Sequence, residues 1–151
     1  MASRRKGRIL AFQALYSWEA AGVPPGGAIP EELLSFSWLE KTPDEEMSDF
    51  SRLLVMGTIE NIAAVDAMIR THLKNWDFSR LNRVDLAVLR MSTYTLLFQD
   101  EVAPSIIIDE AIGISKEFGT DDSYRFVNGV LDSIRKTIQK EKALPGENPP
   151  G

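Results

Sequence analysis

Cysteine is absent from this sequence, which excludes disulfides, thiolate metal sites and cysteine nucleophiles together. There is one histidine, His72, so a two-histidine zinc site cannot form and any catalytic triad would have to use that residue. It lies between Arg70 and Lys74 and is expected to be exposed or to cap a helix. No GxxxxGK[ST] or GxGxxG phosphate loop occurs; the segment Gly22 to Gly27 lacks both the lysine and a flanking strand. No apolar run approaches the ~18 residues of a membrane span, and the basic N-terminus lacks the apolar core of a signal peptide. Carboxylate pairs such as Glu31/Glu32 and Glu45/Glu46 fall on polar helix faces, with no pocket implied that would raise a pKa. These absences predict a cytoplasmic protein that is not an enzyme and takes no metal, cofactor or membrane.

What remains is an ordinary globular composition. With 151 residues, 44% hydrophobic and 26% charged, the chain can bury a core without a covalent staple. Net charge is −5 but unevenly spread: Arg4, Arg5, Lys6 and Arg8 open the chain, and no acid precedes Glu19. Counterion release depends on local charge, so an acidic protein with a basic end can still bind nucleic acid. A solubilising tail is the competing account. The organisation predicted is a basic arm over residues 1–8, one helical domain over 9–142, and a disordered Pro/Gly-rich tail over 143–151.

Helical periodicity runs through the domain. Ile9, Phe12, Leu15 and Tyr16 form the first stripe, which should end near Gly22. A short helix is expected from Glu31 to Lys41, carrying Leu33, Leu34, Phe36 and Leu39. Thr42-Pro43-Asp44-Glu45 resembles a capping box with proline at the first helical position. One long helix should follow, with Met47, Phe50, Leu54, Gly57, Ile62, Val65, Ile69 and Leu73 inward. After a connector at Asp77 to Leu81, a helix over Asn82 to Gln99 should bury Val84, Val88, Met91 and Thr95 along one face. Pro104 opens another to Phe118, despite the β-branched run Ile106-Ile107-Ile108, and Gly119 is expected as its left-handed cap. A last helix from near Asp122 carries Val127, Val130, Leu131, Ile134 and Ile138. Gly57, Gly113 and Gly129 each cost about 1 kcal/mol inside a helix, which suggests close crossings, with Asn128-Gly129 crowding a neighbour.

Three segments carry a more specific signal: Arg4-Arg5-Lys6-Gly7-Arg8 leading into Gln13-Ala14-Leu15-Tyr16, then Leu81 to Arg90, then Phe118 to Asp132 with Phe126-Val127-Asn128-Gly129-Val130-Leu131-Asp132. With Asp109-Glu110-Ala111, and in this order, they resemble the NusB family of transcription antitermination factors over about residues 4–140. The resemblance implies an all-α fold of two packed helical subdomains, six to seven helices in all. It implies a partner, ribosomal protein NusE, and binding with it to single-stranded boxA RNA of nascent ribosomal RNA transcripts. RNA polymerase is then reached indirectly. Some relatives dimerise through the RNA-binding face, so a homodimer stays open.

Single-stranded RNA is held by cations on phosphates and by bases stacked on aromatic or guanidinium planes. Arg4, Arg5, Lys6 and Arg8 suit phosphates, with Gly7 letting the arm bend. Tyr16, Tyr124, Arg125 and Phe126 can supply stacking faces. The resemblance places Arg125 and Phe126 on RNA and gives Asp122 a tempering role, while Asp122 also suits a helix N-cap. Tyr16 and Phe126 have core packing as the alternative. On the expected polar side of the Asn82 helix, Arg83, Asp85 and Arg90 are candidates for NusE contact, Asp85 foremost, against plain surface ion pairs. Two further readings compete. The N-terminal part of ribosomal-RNA cytosine methyltransferases resembles NusB; that reading is expected to fail unless this sequence is a fragment, since 151 residues do not hold the cofactor domain as well. A helical protein-interaction scaffold without RNA binding is the other.

Overall fold

The computed structural model describes residues 4–22, 27–36, 38–39, 41, 43–74 and 77–143. Seven α-helices form among them: α1 (Arg4–Ala21), α2 (Glu31–Ser35), α3 (Glu45–Glu60), α4 (Ile62–Thr71), α5 (Arg83–Phe98), α6 (Pro104–Phe118) and α7 (Ser123–Ala143), with a 3-10 turn at Phe78–Arg80. Residues 144–151, expected to be a tail, lie outside the described residues. α5 is the hub. It packs against α1, α3, α4, α6 and α7, while α1 lies against α3 and α6 against α7. The apolar stripes meet there: Phe12, Leu15, Leu54, Val65, Ile69, Val88, Ile114, Val127, Leu131 and Ile134 are all buried. The segment Ser105 to Ile108 is helical, as its continuation predicts.

Several boundaries differ from the sequence expectation, each for a local reason. The basic arm is the first turns of α1 rather than a separate extension. It docks without an apolar stripe. Gly7 is buried with the Phe50 ring where its Cβ would be, and Ser51 Oγ donates to the Gly7 carbonyl at 2.8 Å. α2 stops at Ser35 because Phe36 turns left-handed at φ 56°. Its ring is 2% exposed, and burying it, worth about 1.5–3 kcal/mol, offsets the ~1–2 kcal/mol of the left-handed backbone. Asp44, not Thr42, caps α3: its carboxylate accepts from the Met47 amide at 2.8 Å, and Pro43 precedes the helix. Thr42 lies outside the described residues.

The single long helix is two. At Asn61, φ −110° and ψ 21° interrupt the ladder, and Asn61 Nδ2 donates to the Gly57 carbonyl at 2.8 Å. A short amide side chain here competes for a helix carbonyl. Gly119 is extended (φ −94°, ψ −170°), not left-handed. Its lack of a side chain makes room for Ser123, whose Oγ accepts from the Thr120 amide at 2.9 Å. Gly57 admits the Tyr94 phenol where α3 crosses α5 closely, whereas Gly113 meets only the guanidinium end of Arg5 and marks no close crossing of α1 and α6. Gly129 departs further: it is exposed with nothing near its Cβ position, and Asn128 is exposed too. α5 also departs from a one-sided stripe, since every residue from Asp85 to Leu96 is buried. A helix surrounded by five others is buried on every side, so its polar residues, Asp85, Arg90, Ser92, Thr93 and Thr95, are buried with the apolar ones.

Candidate nucleic-acid interface

The candidate residues fall into three groups. At the start of α1, the cations are already engaged. Arg4 and Arg8 lie over the Phe50 ring at 4.3 and 5.5 Å, and Arg5 pairs with Glu110 of α6 at 3.3 Å. Lys6 is exposed. Burial pushes the Arg8 guanidinium below its usual value, with Glu110 opposing and Arg4 adding to the shift. Helix geometry places Tyr16 about 18 Å along α1 from Arg4. Tyr16 is exposed and faces Phe118 and Val84 rather than the core.

The second group sits where α6 hands over to α7. The Asp122 carbonyl accepts from the Phe126 amide at 3.2 Å, the first bond of the helix. The Asp122 side chain is exposed and meets Arg125 at 3.8 Å. Tyr124 is half-buried between two cations, Lys116 Nζ at 4.9 Å and the Arg125 guanidinium at 5.2 Å from its ring centre. Phe126 is half-buried, one side against the core and the other on a cleft. That cleft separates Arg80, Leu81 and Asn82 from Thr120, Arg125 and Phe126. It can present an aromatic plane, a guanidinium plane and an amide to one ligand, beside Asp85 and Asp122, which also line it.

The third group corrects the expected partner face. Arg83 is exposed beside Tyr16 and Phe118, but Asp85 and Arg90 are buried, 7% and 5% exposed. Arg90 grips Asp66 of α4 with two bonds of 2.9 Å and Glu19 of α1 at 3.0 Å, with Trp18 5.5 Å away. These carboxylates hold its guanidinium above its ordinary value against the pull of burial, the largest influence. Asp85 Oδ2 accepts from Asn82 Nδ2 at 3.0 Å, and the Asp85 amide donates to Asn82 Oδ1 at 2.8 Å. Burial pushes its carboxyl above the ordinary carboxylate value, Ser123 and Asn82 pulling it back. Its Oδ1 is buried without a well-aligned donor. Because α5 has no solvent face from Asp85 to Leu96, the Asp85 carboxylate and the Arg90 guanidinium are turned inward.

His72 is half-buried at the C-cap of α4. Its Nδ1 lies 2.8 Å from the Met68 carbonyl and its Nε2 2.7 Å from Thr137 Oγ1. A carbonyl only accepts, so Nδ1 carries a proton and, in the neutral ring, Nε2 accepts from the threonine. The histidine pins α4 to α7. Among the described residues no group of three metal-ligating side chains gathers, and no helix is long and apolar enough to cross a membrane.

The residues sequence reasoning missed are Trp38 and Phe118, exposed rings that line a cleft with Phe12, Gln13 and Tyr16. Phe118 was legible only as a stripe residue. Trp38 was expected inside a helix over Glu31 to Lys41, which the left-handed turn at Phe36 ends before it.

Comparison with known proteins places these features in one family. The NusB family model matches residues 5–136. Transcription antitermination protein NusB of Treponema pallidum is 52% identical over 136 residues, covering 89% of this chain and 93% of its own. NusB of T. maritima superposes with a TM-score of 0.79 at 36% identity, covering 89% of this chain and 92% of the other. A chain in a crystal structure of antitermination factors NusB and NusE in complex with dsRNA superposes with a TM-score of 0.75 at 26% identity, covering 89% and 96%. The chain belongs to the NusB family.

Proposed function

We infer that this protein is a transcription antitermination factor that binds RNA together with NusE. Family membership and the NusB–NusE–RNA complex of a relative support this reading. The observation that carries it is the α6–α7 junction, where Arg125 and Phe126 line a surface cleft and the Tyr124 ring lies against Arg125. Those are the groups with which proteins hold unpaired bases and their phosphates. We take the RNA to be single-stranded, because stacking faces of this kind need splayed bases, and, from the family resemblance, to be a boxA-type segment of nascent ribosomal RNA transcripts. Arg4, Arg5, Lys6 and Arg8 would meet phosphates from the other end of α1, Arg83 would face NusE, and Asp122 would temper the affinity. RNA polymerase would be reached through the assembled complex, and a homodimer through the same face would compete with RNA.

A filter-binding titration tests this directly, using single-stranded boxA-type RNA, a scrambled strand and a duplex, each with and without NusE. Tighter binding of the boxA strand, strengthened by NusE, is expected. Equal binding of duplex and single strand would remove the single-stranded reading. No RNA binding with NusE present would leave a helical protein-interaction scaffold instead.

A further inference from the structure

The cleft at the α6–α7 junction does not end there. Asn82 and Thr120, which wall it, also wall a second depression with Tyr16, Arg83 and Phe118. Tyr16 and Phe118 in turn line a third with Gln13, Ser17 and Trp38. One groove therefore runs from Phe126, across the start of α5, to Trp38.

The far end has a distinct chemistry. Tyr16, Trp38 and Phe118 are 38%, 43% and 37% exposed and line one depression, and contiguous exposed apolar surface of this kind marks interaction sites. They are held rather than loose. Phe118 leans on buried Phe12 at 5.3 Å, and Trp38 sits edge-to-face on buried Phe36 at 5.5 Å. Phe36 is the residue whose left-handed backbone ends α2, so that turn delivers the indole to the groove.

The charge along this stretch is equally distinct. The protein carries 22 Asp and Glu and a net charge of −5. Among the described residues, no carboxylate lines these two depressions, and Arg83 is the charged side chain that does. Gln13, Ser17, Asn82 and Thr120 add donors and acceptors between the rings. A polyanion leaving the Asp85 and Asp122 carboxylates of the first cleft meets no further lining carboxylate here, and a base finds both a plane and polar edges.

We propose that this end of the groove is a second base-stacking station for single-stranded RNA, with Trp38 and Phe118 as its platforms. It rests on the RNA-binding reading above and extends it: the strand continues from Phe126 past Asn82 and Thr120, and further bases stack at Trp38. Stacking on rings is tolerant of base identity. The station therefore adds affinity and fixes how many nucleotides are covered, more than which ones. An apolar segment of a partner protein is the rival occupant. The polar residues between the rings and the continuity with Arg125 and Phe126 favour RNA.

The test is a length series of single-stranded boxA-type RNAs titrated against the full chain, with and without NusE. Three variants are compared with the wild type: Trp38→Ala, Trp38→Phe and Phe126→Ala. Trp38→Ala should lose roughly 5- to 150-fold in affinity, the range of one lost base–ring stack, but only for RNAs above a threshold length. Phe126→Ala should lose affinity at shorter lengths too. Trp38→Phe keeps a ring, so it should bind nearly as wild type while losing the Trp38 share of the emission that RNA quenches. Equal affinity of Trp38→Ala and wild type at every length overturns the station but leaves RNA binding at Phe126 intact. Weakened NusE association of Trp38→Ala without RNA, measured by calorimetry, would give the groove to protein instead. Wild type that binds no RNA of any length would remove both the station and the reading beneath it.

Discussion

In the middle of α5, Arg90 is 5% exposed and commits its guanidinium to Asp66 and Glu19. In the first turn of α7, the Arg125 side chain is 72% exposed and has one carboxylate at 3.8 Å. Both are arginines in helices, and the sequence alone made both candidates for contact with a partner. Their difference lies in what surrounds the helix. α5 is wrapped by five others, so a charge on it must find its counter-charges inside. α7 starts at the surface, beside a cleft. A cation whose donors are already matched holds helices together; one whose donors face water is free to meet phosphate. The arginines of α1 lie between these limits, with Arg4 and Arg8 on Phe50 and Arg5 on Glu110.

The sharpest way to break this contrast is Arg90→Ala. Removing one member of a buried ion cluster leaves Asp66 buried and uncompensated, at a cost of about 3–5 kcal/mol. Urea unfolding should show that loss, while the folded fraction binds RNA as before. A stability loss under about 1 kcal/mol, typical of surface pairs, would contradict the structural role.

Phe126→Ala should show the other behaviour, losing about 1–3 kcal/mol of RNA binding by titration. Its half-burial implies some stability loss as well. Unchanged RNA affinity in the folded variant would return this ring to the core.

Gly7→Ala examines the intermediate case. Its new methyl would meet the Phe50 ring at 2.5 Å. Overpacking costs about 1–3 kcal/mol, against about 1 kcal/mol recovered in helix propensity. A drop in melting temperature is expected, with weaker RNA binding because Arg4 and Arg8 share that ring. A more stable variant would mean the first turns of α1 are not docked.

Arg125→Ala should leave stability within about 0.5 kcal/mol. The slope of log affinity against log salt should fall by about 0.7, one single-strand phosphate contact. An unaltered slope would take Arg125 off the RNA.

The smallest effect concerns Asp85, whose carboxyl burial raises. A raised folded-state pKa means the folded protein holds this proton more tightly than the unfolded chain does. That contribution is present below the unfolded pKa and is lost as pH rises through the folded one. Stability of Asp85→Asn relative to wild type should therefore increase on going from acid to neutral pH. A relative stability that falls over that range would reverse the assignment.

Much of the core was legible because 3.6-residue periodicity is a local property. Val127, Val130, Leu131 and Ile134 share one face of α7 and are buried as that spacing requires. Arg90 was not legible, because its counter-charges come from Glu19 and Asp66, on α1 and α4. One clue was present: from Leu86 to Leu97, α5 offers no continuous polar face, so Arg90 had no solvent side to occupy. At the interface, Arg125 and Phe126 could be proposed from residue type and resemblance. Trp38 could not, because Phe36 orients it through a left-handed turn that no periodicity encodes.

The glycines have a consequence for mutational tolerance. At Gly7, Gly57 and Gly113 the empty Cβ position is filled by a long side chain from another helix: Phe50, Tyr94 and Arg5. Each such pair is a single unit divided between two helices, and where the filler is a ring the small residue is the constrained half. In a saturation scan read out by folding, Gly7 and Gly57, which face rings, should reject even alanine. Gly113 should tolerate it, because the Arg5 side chain is 43% exposed and can swing aside, and Leu53, a large apolar residue 55% exposed on α3, should accept almost any side chain. Residue size and hydrophobicity would rank Leu53 and the two ring-facing glycines in reverse.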